Sequence, residues 1–393
     1  MDAVTIVVSV CVLLLLAYVF DLTAAKSKIP SVVLLIALGW VVGQTQVVDF
    51  PDLSAVLPIL GTVGLILIVL EGALELEVNR SKLPLVMKSS LVGLLPMLIL
   101  VVASAYVARA FGYPSLKDNM TSFLPLFVIS SAIAIPSASA LATPQREFIT
   151  YESSLSDIFG VMLFSFVSLN EVIDATAFGA FVWQFVLILV VSLVATLGLS
   201  YLLSRINHHV KFMPIVLAVI LIYGMSKHYH LPSLVFILLF GLFLGNVGHS
   251  KRLFLQFLRP TELMDEVHKF KDVVSEFAFV MRALFFLLFG FLIDTNELLN
   301  LDTMRLAVLI TVGIFAVRAL VLYVFRLPVM PLVVVAPRGL ITILLFLSIP
   351  TTQMIPLVNK SLIIQVIILT ALVMMFGLVF YKAPKQDAPT PNT

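Results

Sequence analysis

Charge is what this sequence has least of. Only 12% of its 393 residues are Asp, Glu, Lys or Arg, about half the share of an ordinary soluble domain, while 61% are hydrophobic. A water-soluble fold is excluded, because no stretch outside the apolar runs is long enough to bury a core of its own. Cysteine is nearly absent. The single Cys11 lies inside an apolar run, which excludes a disulfide framework and a thiolate metal site and leaves a packed core thiol as its reading. The 24 Lys+Arg nearly balance the 22 Asp+Glu, and the six His are scattered; with no basic patch or stripe, nucleic acid is excluded as a partner. No nucleophile–base pair, metal motif or phosphate loop is present, so neither an enzyme nor a cofactor is expected. Long segments of alternating polarity are missing too, which together with 30 Phe favours helices over an outer-membrane barrel.

What is there is hydrophobic length. Cutting at charged, polar or Pro-bearing junctions gives thirteen apolar runs, near 3–20, 30–48, 57–77, 87–111, 122–143, 153–170, 177–203, 212–226, 232–247, 275–294, 304–326, 331–350 and 360–381. The fold class expected is therefore all-α and polytopic, with about 13 transmembrane helices. Short runs such as 212–226 and 232–247 could instead be buried or tilted helices, and with one of them not spanning the count is twelve. The first run begins Met1-Asp2 without a basic leader and has the length of a span, so it is read as a helix rather than a secretory signal. Residues 248–274 carry both charge signs and read as a cytoplasmic amphipathic segment or a solvated linker. The Lys/Pro/Asp tail after Phe380 is too short to be a nucleotide-binding domain.

With thirteen spans the junctions fall into two sets, one holding sixteen Lys and Arg and the other five. Basic residues stay on the cytoplasmic side, so the N-terminus is expected outside and the C-terminus inside a cell (inner) membrane. Arg282, Arg318 and Arg338 are left within spans.

Internal repetition adds architecture. The third run ends Leu70-Glu71-Gly72-Ala73-Leu74 and the tenth ends Leu288-Phe289-Gly290-Phe291-Leu292; the fifth holds Ile135-Pro136-Ser137 and the twelfth Ala336-Pro337-Arg338-Gly339. Both pairs are seven spans apart. An odd offset makes the partners cross the bilayer in opposite directions, the topology of two inverted repeats with crossed, broken helices 5 and 12. Proline removes a backbone donor and crowds the carbonyl four residues back, so Pro136 and Ser137 in one run and Pro337 and Arg338 in the other mark a broken-helix site, with Ser131 of the first run as a further candidate beside it. An ordinary proline kink padded by small residues is the alternative for the fifth run. A charge beside two helix breakers, as at Arg338, costs about 2.5–3.5 kcal/mol to insert and is seldom kept without a role.

The sixth run opens Tyr151-Glu152-Ser153-Ser154-Leu155-Ser156-Asp157. Glu152, Ser153, Ser156 and Asp157 spread over roughly 140° of a helix and offer two carboxylates and two hydroxyls. Hard oxygen ligands of this kind suit a monovalent cation or a proton; a capping cluster at a helix start is the alternative, which explains Glu152 and Ser153 better than Asp157. One buried carboxylate holds a proton or a cation, but not both well. Arg318, in mid-span, needs an anionic partner at that depth, and Glu152 is the best placed if Asp157 is to stay free. Glu71 reads as interfacial or paired, with Arg282 as a partner, and as a possible further ion ligand. His208, His209, His228, His230, His249 and His268 lie at span ends or in loops, where solvated histidine is the default.

These motifs resemble those of the monovalent cation:proton antiporter superfamily, in particular the sodium/proton exchangers of the NhaP type, and the likeness covers essentially every span. Glu152-Ser153-Ser154-Leu155-Ser156-Asp157 is similar to the family's Glu-Ser-x-x-Asn-Asp. Arg338-Gly339 with Leu347-Ser348-Ile349-Pro350 resembles its Arg-Gly…Leu-Ser-Leu-Pro segment. The resemblance implies a cation- and proton-binding Asp157 with Ser153 and Ser156 beside it, and a structural ion pair between Glu152 and Arg318. It also implies a homodimer whose scaffold (1–82 and 205–302) and moving core (83–176 and 303–382) are joined by a linker helix (177–204), with a cytoplasmic tail at 383–393. Two departures stand out: Ser156 replaces the family's Asn, and Ala134-Ile135-Pro136 replaces its Thr-Asp-Pro. With that carboxylate gone, electroneutral exchange of sodium, or another monovalent cation, for one proton is expected. A transport-inactive sensor or scaffold with the same fold, and an inverted-repeat carrier of organic anions, are the alternatives.

Overall fold

A backbone amide in hydrocarbon finds no water and must be paired within its own segment, so long apolar runs become helices. A computed structural model describes residues 3–27, 29–45, 56–76, 81–170, 175–205, 210–229, 231–247 and 260–381. Its helices are α1 (Ala3–Ser27), α2 (Ser31–Thr45), α3 (Val56–Glu75), α4 (Leu83–Ala110), α5 (Leu116–Phe123), α6 (Ser131–Ser137), α7 (Thr143–Leu169) and α8 (Ala175–Arg205). They continue with α9 (Phe212–His228), α10 (Ser233–Gly245), α11 (Pro260–Phe291), α12 (Thr295–Leu298), α13 (Leu301–Val324), α14 (Val329–Leu332), α15 (Leu340–Leu347) and α16 (Lys360–Phe380). Among the described residues there is no strand. Eight stretches are long and apolar enough to cross a bilayer, and four further apolar stretches, within α1, α2, α9 and α10, are shorter. The fold is all-α and polytopic.

Local sequence sets several boundaries. The side chains of Ser115, Asn300 and Asn359 accept from backbone amides in the first turns of α5, α13 and α16, pairing donors that the helix itself cannot. Packing then sorts the helices into two groups. In one, α11 lies on α2 and α3, α10 on α3 and α8, and α1 on α2 and α11; in the other, α4 packs on α5, α7 and α13, α6 on α7, and α13 on α16. The groups meet largely along α3, which touches α6, α7 and α15.

The first group is held by glycines that let backbones approach closely. Gly39 and Gly43, four apart on α2, lie against the carbonyls of Leu287 and Phe291 on α11, and Gly290 of α11 lies against that of Ile36. Gly241 and Gly245 of α10 repeat the arrangement against Leu70, Ala73 and Leu74 of α3. Small residues at this spacing are a standard way for helices to associate where lipid is as apolar as leucine.

Four expectations from sequence change. The fifth run breaks at residues 128–130 and not at Pro136, which lies inside α6, because the amides of Ile129, Ser130 and Ser131 bond to groups from other segments. The sixth run starts earlier: Thr143-Pro144 begins α7, proline being suited to a first helical turn, so Glu152 stands well inside the helix and is not a cap. Residues 260–274 are the first turns of α11 and not a separate segment, while 248–259 lie outside the described residues. Cys11 is exposed and not packed in the core; an apolar thiol facing lipid needs no protein burial. His208, His209, His230, His249 and the tail after Tyr381 also lie outside the described residues.

Because a methyl group at Gly39 would strike the Leu287 carbonyl while one at Gly224 meets nothing within 4 Å, the two alanine variants should differ. Gly39→Ala is expected to lose about 1–3 kcal/mol of stability, read as a lower thermal midpoint in detergent, and Gly224→Ala to match the wild type.

Candidate ion-binding site at the helix crossing

Two chain segments leave helical geometry inside the bundle, 128–130 and 333–339, and they cross. The Ser130 amide donates to the Pro337 carbonyl at 2.9 Å. Arg338 fixes the crossing from the other side. Its Nε donates to the Leu126 carbonyl at 3.0 Å, one Nη to Phe127 at 3.3 Å and the other to Ala336, while its backbone amide donates to Thr370 Oγ1 of α16 at 3.1 Å. A guanidinium has five N–H donors and no acceptor, which matches a pocket of free carbonyls at helix ends.

Arg318 of α13 does the same for the second break. Its Nε and one Nη donate to the Leu332 carbonyl at 3.0 and 2.8 Å, and that Nη also reaches Val335 at 3.3 Å. The two Nη groups meet Glu152 of α7 as a fork, one at 2.8 Å and the other in close contact. Glu152 and Arg318 are 1% and 2% exposed. Two fully desolvated charges are tolerable only with this bidentate geometry and with the remaining donors paired.

Asp157 is as buried, at 1% exposure, but its surroundings differ. One oxygen, Oδ2, accepts from the Ser131 hydroxyl and from the Ser131 amide, the latter at 3.3 Å. The other, Oδ1, has no hydrogen-bond partner among the described residues. No cationic side chain there forms an ion pair with it. The constellation read from sequence is thus divided. Ser156 Oγ accepts from the Ile129 amide at 3.0 Å, and Ser153 donates to the Ile149 carbonyl of its own helix at 2.8 Å. Glu152 and Ser156 face α4, where a Cβ on Gly93 would lie 3.2 Å from the Glu152 carbonyl and 3.7 Å from Ser156 Cβ. Pro337 and Arg338 are in the crossing, whereas Pro136 and Ser137 lie in the last turn of α6, with the Ser137 hydroxyl bonded to Ile133 at 2.7 Å. Glu71 is apart from the crossing, 3.8 Å from Arg282 of α11. Among the described residues no three His, Cys, Asp or Glu converge.

A cavity of about 460 Å³ opens beside α7. Its walls include Thr62 and Leu65 of α3, Val161 and Ser165 of α7, Tyr223 of α9 and Ser348 just after α15. Val161 is four residues beyond Asp157, about 6 Å along the helix and on the same face, so the cavity ends about one turn from the carboxylate. In the opposite direction along α7 there is contact instead: a Cβ on Gly72 of α3 would lie 3.2 Å from Ser154 Oγ and 3.4 Å from Ile135 Cδ1. Sequence reasoning passed over Ser154, Thr370 and the carbonyls of Leu126 and Phe127. The first looks like its neighbour Ser153, and backbone acceptors carry no sequence signal.

Glu152→Gln should cost about 3–5 kcal/mol, because it strands the buried Arg318 charge; Glu152→Leu combined with Arg318→Met should recover only part of that loss, since it removes the stranded charge but also the donors to the Leu332 and Val335 carbonyls. Thermal unfolding in detergent of the single and double variants measures both.

A profile of the family described as sodium/hydrogen exchanger, transmembrane, matches residues 11–381. Among solved structures, the chain is similar to the sodium proton antiporter MjNhaP1 from Methanocaldococcus jannaschii at pH 8, with a TM-score of 0.73 and 16% identity over 96% of this chain and 100% of that one. An electron-microscopy structure of the same antiporter gives 0.71 and 17%, over 96% and 95%. At such identity the likeness is one of fold. No curated protein matches the sequence significantly. The family match spans nearly the whole chain, crossing and buried carboxylates included, and the protein therefore belongs to the sodium/hydrogen exchanger family, whose members are secondary transporters and not enzymes.

Proposed function

We propose that the chain exchanges a monovalent cation, sodium foremost, for a proton by alternating access, the two competing for Asp157. The observation that carries this reading is the contrast between two equally buried carboxylates. Glu152 has its charge matched by Arg318, whereas among the described residues Asp157 has one oxygen without a hydrogen-bond partner and no ion-pair partner. A carboxylate in that state must be neutralised to stay in a dry site, and a proton or a metal ion serves equally. The cavity brings open volume to within about one turn of it from one side.

Charge balance sets the stoichiometry. With Glu152 paired and the apolar Ile135 in the stretch that resembles the family's Thr-Asp-Pro, Asp157 is the only uncompensated carboxylate at the crossing among the described residues, so one cation replaces one proton and turnover is electroneutral. In the same reading the α4–α7 and α13–α16 group moves against the group built on α2, α3, α10 and α11, and two chains pair through the latter. The excess of basic residues on one set of junctions supports an N-terminus outside and a C-terminus in the cytoplasm, taking the membrane to be a cell (inner) membrane.

Ile135 also favours a second reading, a transport-inactive sensor with an exchanger fold. An organic-anion carrier fits less well, since the donors of Arg338 that would grip a carboxylate are directed at three carbonyls.

Sodium-driven proton efflux from proteoliposomes, with potassium and lithium alongside, separates these readings. Exchange requires efflux in the wild type, its loss in Asp157→Asn, and no current accompanying turnover. Competition also fixes a pH dependence. Protonation removes the cation-competent form, so well below the titration of Asp157 each unit of acidification should raise the apparent KM for sodium about tenfold with little change in kcat. A KM that ignores pH rejects a shared site.

A further inference from the structure

An alkali cation that sheds its water needs several oxygens in exchange, and Asp157 leaves one free. Three serines flank it on α7. The Ser153 hydroxyl donates to Ile149 and Ser156 Oγ accepts from the Ile129 amide. Ser154 does neither: it is 1% exposed, and its Oγ has no hydrogen-bond partner among the described residues. A desolvated hydroxyl left with no partner is unusual enough to demand a reason.

Rotation about α7 supplies one. At about 100° per residue, the cavity-lining Val161, Phe164, Ser165 and Ser168 share with Asp157 an arc of about 100° on the helix. Ser154 falls inside that arc, three residues and just under one turn before Asp157, whereas Ser153 and Ser156 fall outside it. Facing Ser154 across the helix contact is Gly72, which presents no side chain to occupy the hydroxyl. The two side-chain oxygens of this stretch of α7 that have no hydrogen-bond partner among the described residues therefore lie on one face, the face that lines the cavity further along the helix, at the spacing where helical side chains are neighbours.

We propose that Ser154 is a ligand of the transported cation, its Oγ and the free Oδ1 of Asp157 together holding the ion as it leaves the cavity. This rests on the exchange reading for the identity of the ion, but binding tests it separately. A proton needs only the carboxylate, so Ser154 acts on the cation and not on the proton.

The experiment compares wild type, Ser154→Ala, the near-isosteric Ser154→Cys, and Ser200→Ala, which removes another buried hydroxyl without a hydrogen-bond partner, on α8. Two readouts are taken: the KM and kcat for sodium in proteoliposomes, and the rise in thermal midpoint that sodium produces in detergent, since a bound ion stabilises the folded state. Both Ser154 variants should raise the sodium KM about tenfold, shrink the sodium-induced rise in midpoint, and leave the midpoint without sodium and the pH at which Asp157 titrates unchanged. Ser200→Ala should behave as the wild type. The proposal is overturned if both Ser154 variants keep the wild-type KM and sodium response, or if Ser200→Ala loses as much. Exchange fails separately if the wild type, or Asp157→Asn, gives the wrong flux; the sodium-induced rise in midpoint then still decides whether Ser154 holds the ion. If sodium produces neither flux nor a rise in the wild type, both readings fall.

Discussion

Backbone that unwinds inside a bilayer must find partners for its amides and carbonyls, and the centre of this protein is organised by that requirement. Two segments leave helical geometry at the same depth and cross, one bonding directly to the other through Ser130 and Pro337. Many of the other freed groups are met by side chains. Arg338 and Arg318 serve carbonyls at helix ends, while Ser156 and Asp157 accept the amides of Ile129 and Ser131. An arginine suits this role because one side chain can satisfy several carbonyls at once. Each such charge then has to be balanced or spread, and at the crossing one is balanced by Glu152 and the other is spread over carbonyls alone.

That division explains how two carboxylates five residues apart on one helix come to differ. Glu152 is turned toward α4 and Arg318, into a contact that joins α7, α13 and the second break. Asp157 is turned toward Ser131, on the helix face that lines the cavity one turn further along. The helix rotates by about 140° between them, and that rotation separates a fixed charge from one that is not compensated. Ile135 adds to the contrast, because it brings an apolar side chain, and no further charge, against Gly72.

Much of this was legible in the sequence, for physical reasons that can be named. Helical runs show because lipid admits little else, and Glu152, Asp157 and Arg318 show because charge within an apolar run is expensive. The glycine pairs Gly39/Gly43 and Gly241/Gly245 were equally visible, as small residues four apart, and were passed over. What could not be read was set by other segments. Pro136 suggested a break at its own position, yet the chain opens six to eight residues earlier, where Pro337, Ser156 and Asp157 capture the amides. Ser153 and Ser154 are identical in composition and differ by one helical step, which sends one hydroxyl back to its own helix and leaves the other without a hydrogen bond.

The asymmetry along α7 is the last consequence. Toward its C-terminal end, the face bearing Asp157 lines open volume; toward its N-terminal end, the same face meets α3 at Gly72, with Ile135 of α6 alongside. The corresponding face of α3 carries Thr62 and Leu65 at the open end and Gly72 at the closed one, and the residue separations match: Leu65 to Gly72 and Val161 to Ser154 each span about 10 Å of helix. Asp157 lies between those levels. A modest sliding of α7 along α3 would exchange open volume for contact on either side of the carboxylate, and a bare glycine backbone at the closed end is the surface over which such a slide meets least obstruction. The exchange reading needs only that the two arrangements be close in free energy once Asp157 is neutralised, since an uncompensated charge would hold the face toward water.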